Sequence, residues 1–342
     1  MVKEIGSDFK LNPGIIFRKN KNNIPNTILL STGRDCISHI SNSFQNKTLL
    51  LPSYLCDTIL LPIKENNIKY FFYKIDKDLE VDLKDLNKKV EKLNPDLIFV
   101  INYFGFIQPK LSEIKKICQS KNIKLIEDNV QSFLTTHEIQ GDYSFNSYRK
   151  FLPAPDGAFL YSINEDLQLN SPYKKFYLTR FYASLIKNIK ILKKIYRNWF
   201  VKTEDTYINN YKKPARMSNL SKYILNKFDF EDIKHKRAEN FMYLLKNLTN
   251  KKIKSLFIQL ESNVCPLGFP IIMESENDRN RLKEILIKNK IYPPIHWTLP
   301  DELNKTEFKD SIDISKRILT IPIDQRYNIK DMKRILNILN IF

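Results

Sequence analysis

A chain of 342 residues, 42% apolar and 27% charged, with 22 Phe, 17 Tyr and 2 Trp, has enough apolar material for a large core, which excludes a disordered polymer. Its 56 Lys and Arg against 38 Asp and Glu give a net charge of +18, and runs such as 58-TILLPI-63 and 97-LIFVI-101 fall far short of the roughly 20 apolar residues of a membrane span. Four scattered cysteines (Cys36, Cys56, Cys118 and Cys265) make no metal-ligand spacing, so neither structural zinc nor a disulfide scaffold is expected. The N-terminus, MVKEIGSDFK, has no signal-like apolar stretch, which predicts a cytoplasmic protein.

Strand signals fall at 27–31, 48–52, 69–75, 97–103, 123–128, 142–148 and 157–162. Helical patterns lie between them at 34–45, 54–66, 82–93, 110–121 and 128–134. Continuous Ile, Leu, Val and Phe strands separated by helices predict an α/β unit with a mostly parallel seven-stranded sheet, whose ligands sit at the carboxyl ends of the strands. From 171 to 254 strand signals vanish. That stretch holds 21 Lys or Arg against 6 Asp or Glu, a net +15, leaving about +3 for the rest. Within it, 180–200 predicts one helix with Phe181, Leu185, Ile189, Leu192, Ile195 and Trp199 on one face and Lys187, Lys190, Lys194 and Arg197 on the other. A second helix is expected from Asn219 to Leu248. Strands at 253–260, 268–274 and 318–323, with helices at 276–289 and 328–340, predict a smaller C-terminal α/β domain. The expected division is 1–240, including the basic segment 171–240, and 241–342.

Three strand ends hold candidate chemistry. At 31-STGRDC-36 a strand ends in Thr32-Gly33 and a helix begins, so backbone N–H groups can approach a phosphate, with Arg34 adding charge; a plain turn is the other reading. At 126-IEDNVQSF-133, Asp128 ends an apolar strand, where it either protonates a heterocyclic nitrogen or caps the next helix. In 144-SFNSYRKFLPAPDGA-158, Lys150 is either a surface lysine or, once desolvated, an amine able to attack a carbonyl, with Ser144 and Ser147 near enough for a phosphate.

Together and in this order, these elements resemble the DegT/DnrJ/EryC1/StrS family of pyridoxal-phosphate-dependent nucleotide-sugar aminotransferases, of fold type I. The resemblance extends through 49-LLLPSYLC-56, 98-IFVINYFG-105, 216-RMSNLS-221, 295-IHW-297 and 318-ILTIPI-323. It implies that Asp128 pairs with the pyridinium nitrogen of pyridoxal 5′-phosphate and that Lys150 forms the Schiff base and moves the proton. Gln131 would lie beside the ring's phenolic oxygen, and Gly33, Arg34 and Ser147 would hold the 5′-phosphate. His296 would reach the substrate.

Three departures stand out. The family's serine-to-lysine spacing, counted from Ser144, lands on Arg149, whereas Asp156-Gly157-Ala158 keeps its spacing only from Lys150. Cys56 occupies the ring-stacking position, with Tyr54 two residues before it. Pro214 stands where an asparagine often reaches the neighbouring subunit's phosphate. The implied activity is transfer of an amino group from an amino acid, expected to be glutamate, to a nucleotide-linked keto-sugar in glycan biosynthesis, by a homodimer. The alternative is a catalytically altered relative that acts as a binding or scaffold protein in glycan assembly. No nucleic-acid motif accompanies the positive charge, while the basic 180–200 helix is a candidate for weak contact with an anionic membrane surface.

Overall fold

The computed structural model describes residues 3–21, 28–162, 169–187, 189, 192, 195, 196, 198–203 and 214–342. In chain order the strands are β1 (Ile5–Gly6), β2 (Ile28–Leu30), β3 (Thr48–Pro52), β4 (Lys69–Tyr73), β5 (Leu97–Ile101), β6 (Lys124–Asp128), β7 (Tyr143–Phe145), β8 (Ala158–Ser162), β9 (Ile253–Ser255), β10 (Phe269–Met273), β11 (Ile291–Tyr292) and β12 (Ile318–Ile321). The helices are α1 (Gly33–Asn42), α2 (Leu60–Glu65), α3 (Leu83–Leu93), α4 (Leu111–Lys121), α5 (Lys174–Ile186), α6 (Asn219–Leu225), α7 (Phe230–Asn247), α8 (Glu276–Lys288), α9 (Lys309–Arg317) and α10 (Ile329–Ile341).

Seven strands form one sheet in the order β2-β8-β7-β6-β5-β3-β4. It is parallel from β4 to β7, while β8 runs antiparallel to both its neighbours. The central strand β5 is buried along its whole length. Its uninterrupted Leu-Ile-Phe-Val-Ile run is what a strand covered on both faces requires, each side chain contributing about 1.5–3 kcal/mol. The register sets Asp128 opposite Ile101 on β5 and Phe145 on β7. The carboxyl ends of three strands therefore meet at one edge.

A second core surrounds the antiparallel sheet β12-β10-β9, where Phe241 and Leu244 of α7 pack with Phe269, Ile271, Leu319 and Ile321. Here β1 adds in parallel to β11, so the N-terminal segment pairs with chain nearly 290 residues away.

Four local expectations change. Residues 128–134 form turns rather than a helix, with Ser132 N–H bonded to Asn129 and Thr135 N–H to Ser132; the Asn129 side chain is drawn to Glu127 and Ser144. The helix expected over 180–200 ends at Ile186. Phe181 and Leu185 pack with Leu11, Ile15 and Ile224, whereas Ile189, Ile195 and Trp199 are exposed; Lys190, Lys194 and Arg197 lie outside the described residues. The single helix over 219–248 is two, because the Asp229 side chain accepts Asp232 N–H and starts α7 afresh. Helix α9 is additional, seating Ser311 and Ile314 in the interior. Among the described residues no helix is long and apolar enough to cross a membrane.

Candidate active site

Asp128 closes β6 and is nearly buried. Its Oδ1 accepts the Val130 N–H at 2.8 Å, so the aspartate caps a turn through one oxygen. Burial pushes its carboxyl up to about 7, with the Val130 N–H and the positive charge of Lys150 pulling the other way. An acid held that high, with one backbone donor, is suited to a cationic partner.

Gln131 follows in the turn and is 2% exposed. Its Oε1 accepts the Phe104 N–H at 2.7 Å, which fixes the amide's orientation and makes Nε2 the free end. That Nε2 is buried without a hydrogen-bond partner among the described residues. Such a donor costs about 1–3 kcal/mol unless something accepts from it. The peptide that holds Gln131 is itself unusual, since Phe104 has φ 55° and is followed by Gly105 at φ 104°. A Cβ on Gly105 would meet the Cys265 carbonyl oxygen, so glycine is required there.

On the adjacent edge α1 begins. Thr32 is its cap, accepting Asp35 N–H, and Gly33 is the first helical residue with Arg34 next, leaving early N–H groups at the helix end. A Cβ on Gly33 would stand 3.3 Å from Val130 and 3.6 Å from Phe145, so a larger residue would crowd the floor beside Asp128. Ser147 is buried and precedes the short 3₁₀ turn Tyr148–Lys150 without capping it through its side chain. Ser144 is engaged elsewhere, accepting from Asn129 Nδ2 at 2.9 Å. Of the two serines, Ser147 is the one at the lysine turn.

Lys150 ends that turn and opens into a cavity of about 520 Å³, shared with His296 and with Arg149, Arg180, Arg237 and Arg326. Arg149 turns toward the ring of Phe176 at 5.6 Å. Lys150 is the one whose charge bears on both Asp128 and His296. His296 bonds Thr320 Oγ1 through Nδ1 at 2.9 Å and meets Phe104 edge-to-face. Burial and the Lys150 charge lower its pKa to about 3, which keeps the imidazole neutral. Gln131 and His296 thus both meet Phe104, and the Lys150 charge reaches Asp128 and His296, while Asp128, Gln131, Gly33, Arg34 and Ser147 are not among the residues that line the cavity.

Cys56 is half-buried beside Thr58. Tyr54 does not stand in for a stacking ring. It is fully buried against Tyr103 and Trp297, and its hydroxyl donates to the His296 carbonyl. Pro214 accepts Asn170 N–H through its carbonyl and has no N–H to give.

Sequence reasoning missed the support behind Asp128. Glu127, fully buried on the opposite face of β6, accepts from His137 Nε2, Asn102 Nδ2, Asn129 Nδ2 and the Gln140 and Gly141 N–H groups. The one available signal was a carboxylate pair in a strand whose alternation turns one acid away from the cleft.

Residues 45–148 match the model of the DegT/DnrJ/EryC1/StrS aminotransferase family, a span that includes Asp128 and Gln131 and stops two residues before Lys150. No curated protein matches the chain. Among solved structures, Helicobacter pylori PseC, an aminotransferase of pseudoaminic acid biosynthesis, superposes with a TM-score of 0.70 at 12% identity, covering 98% of each chain. A DegT/DnrJ/EryC1/StrS aminotransferase from Brucella abortus gives 0.64 at 14% identity over 97% of this chain and 90% of its own. Bacillus subtilis NtdA with bound PMP gives 0.67 at 14% identity over 97% and 77%. Residues 45–148 are thus similar to the DegT/DnrJ/EryC1/StrS aminotransferase family, and the fold is shared with solved aminotransferases along almost the whole length of the chain.

Proposed function

We propose that the chain is a pyridoxal-phosphate-dependent aminotransferase that converts a nucleotide-linked keto-sugar to an amino-sugar with an amino-acid donor, glutamate being the expected one. The observation that carries this reading is the buried Nε2 of Gln131, unpartnered among the described residues, three residues along the turn from a buried Asp128 whose hydrogen bond is to the Val130 N–H. The two ask for one ligand with an acceptor oxygen and a protonated ring nitrogen, which pyridoxal phosphate has. When bound, that cofactor supplies a ring able to take up the electron pair of a broken C–H bond.

In this reading Asp128 holds the proton on the ring nitrogen and Gln131 Nε2 donates to the ring oxygen. The first N–H groups of α1, at Gly33 and Arg34, and the Ser147 hydroxyl receive the phosphate. Lys150 anchors the cofactor and then carries a proton to and from the substrate carbon. His296, neutral and fixed by Thr320, presents Nε2 as its free nitrogen for the substrate. Lys150 aside, the excess of basic over acidic side chains lining the cavity, Arg149, Arg180, Arg237, Lys283 and Arg326 against Asp8 and Asp324, suits an anionic substrate. The Helicobacter pylori protein's sugar pathway supports a sugar acceptor. A cytoplasmic homodimer completes the proposal.

The test is absorbance of the purified protein after incubation with pyridoxal phosphate, followed by mass measurement of products from keto-sugar nucleotides and glutamate. A visible band that Lys150→Ala abolishes is expected. Cys56 in place of a stacking ring favours the second reading, a catalytically altered scaffold protein. Absence of the band in the wild-type protein would select it.

A further inference from the structure

The lysine loop is closed at its base by a buried acid that the proposed chemistry does not use. Asp156 is fully buried and accepts from four donors: Ser218 Oγ at 2.6 Å, Ser218 N–H at 3.0 Å, Ser31 Oγ at 3.4 Å, and Ser221 Oγ. Its own N–H returns a bond to Ser221 Oγ at 3.2 Å. The next residue, Gly157, donates its N–H to the Ser31 carbonyl at 2.6 Å and accepts the Tyr148 N–H at 3.1 Å.

Three pieces of the site meet at this carboxylate. Ser31 leads directly into Thr32-Gly33, the start of α1. Tyr148, tied to Gly157, begins the turn that ends in Lys150. Ser218 and Ser221 belong to the first turn of α6, and the chain just before them is held to α1 by the Ala215 N–H on Asp35 Oδ1 at 3.0 Å. Gly157 permits the closure because it has φ 128° and a Cβ there would stand 2.7 Å from Met217 Sδ.

We propose that Asp156 is a positioning residue: by joining Ser31, the 148–157 loop and α6, it sets where the Lys150 amine stands relative to the Gly33 turn and Asp128. This rests on the cofactor reading above. Only a carboxylate suits the junction. An asparagine would offer one acceptor oxygen and turn an NH₂ group toward serine hydroxyls and N–H groups that need acceptors. Burial raises the Asp156 pKa, and its hydrogen bonds and the Arg149 charge offset only part of that rise.

The experiment loads cofactor-free wild-type, Asp156→Asn and Ser221→Ala proteins with pyridoxal phosphate, following the rate at which the lysine-bound band grows and the pH midpoint of that band. The thermal midpoint of each cofactor-free protein is measured alongside. Displacement of the amine by a fraction of an ångström predicts loading slowed about tenfold or more in Asp156→Asn. It also predicts a shifted pH midpoint, with a smaller change in the same direction in Ser221→Ala. A general loss of stability lowers the thermal midpoint without moving the pH midpoint of molecules that remain folded. Wild-type rate and pH midpoint in both variants overturn the proposal. Should Asp156→Asn fail to fold, Ser221→Ala alone decides by the same two readouts. No band in the wild-type protein defeats the cofactor reading itself, an outcome distinct from a wild-type band left unmoved in the variants.

Discussion

Nε2 of His137 lies 2.5 Å from Oε1 of Glu127, and the carboxylate of this pair is wholly buried behind the strand that presents Asp128. Burial acts against both charges. The mutual contact outweighs it, lowering the Glu127 pKa below 4.5 and raising that of His137 above 6.5. The histidine's contribution is complete below pH 6.5 and fades as pH rises through its raised folded value. The glutamate's is complete above pH 4.5 and fades as pH falls through its lowered folded value. Stability from the pair is therefore greatest between those limits. His137→Gln should flatten the alkaline side and cost about 1–3 kcal/mol, because Glu127 keeps its other donors. Glu127→Ala, which strands the whole donor set, should cost about 3–5 kcal/mol. Urea melts at several pH values measure both.

The Asp128 carboxyl behaves in the opposite sense. Its folded pKa, about 7, lies above the ordinary 3.8, so the cofactor-free protein loses stability as pH rises between those values. Asp128→Asn should remove that slope and make the cofactor-free protein more stable at pH 8, by roughly 2–4 kcal/mol. The same substitution should reduce transamination by about 10²-fold or more, since the ring nitrogen loses its counter-charge. Differential scanning with and without pyridoxal phosphate provides the check: adding it should narrow the pH dependence in wild type only.

The contrast between these two neighbours shows what sequence patterning conveys. All seven strands of the large sheet were legible, because strands such as 97-LIFVI-101 are apolar throughout and their limits are set by charge and turn residues. The strand-to-helix step at Thr32-Gly33 was legible from residue type, whereas the roles given to that turn and to the lysine loop came from the family resemblance and not from the local pattern. Which of Glu127 and Asp128 faces the cleft was less so, and the donors on Glu127 come from 102 to 141, through side chains and turns that no periodicity marks. The basic segment misled for a related reason. A three-and-four spacing describes a possible apolar face, but Lys187 is drawn to Ser7 and α5 stops beside it.

Gln131 offers a separable test. Gln131→Glu keeps an oxygen for the Phe104 N–H and replaces the unpartnered Nε2 with an acceptor. Affinity for pyridoxal phosphate should fall about tenfold or more, the worth of one lost hydrogen bond, while secondary structure stays unchanged. Equilibrium titration of the visible band gives the ratio directly.

Tyr54 reaches the substrate side through a backbone atom. Its hydroxyl donates to the His296 carbonyl while the imidazole is held by Thr320 Oγ1, so both ends of His296 are fixed from behind the cavity. Tyr54→Phe keeps the packing on Tyr103 and Trp297 and deletes that bond, leaving a buried carbonyl short of a donor. A stability loss of about 1–3 kcal/mol is expected. Because His296 is proposed to face the substrate rather than the cofactor, KM for the sugar should rise while the position of the cofactor band stays as in wild type. Thr320→Val, which removes the side-chain tether instead of the backbone one, should raise the same KM. Steady-state kinetics on both variants, with absorbance recorded in parallel, separate the substrate side of the site from the cofactor side.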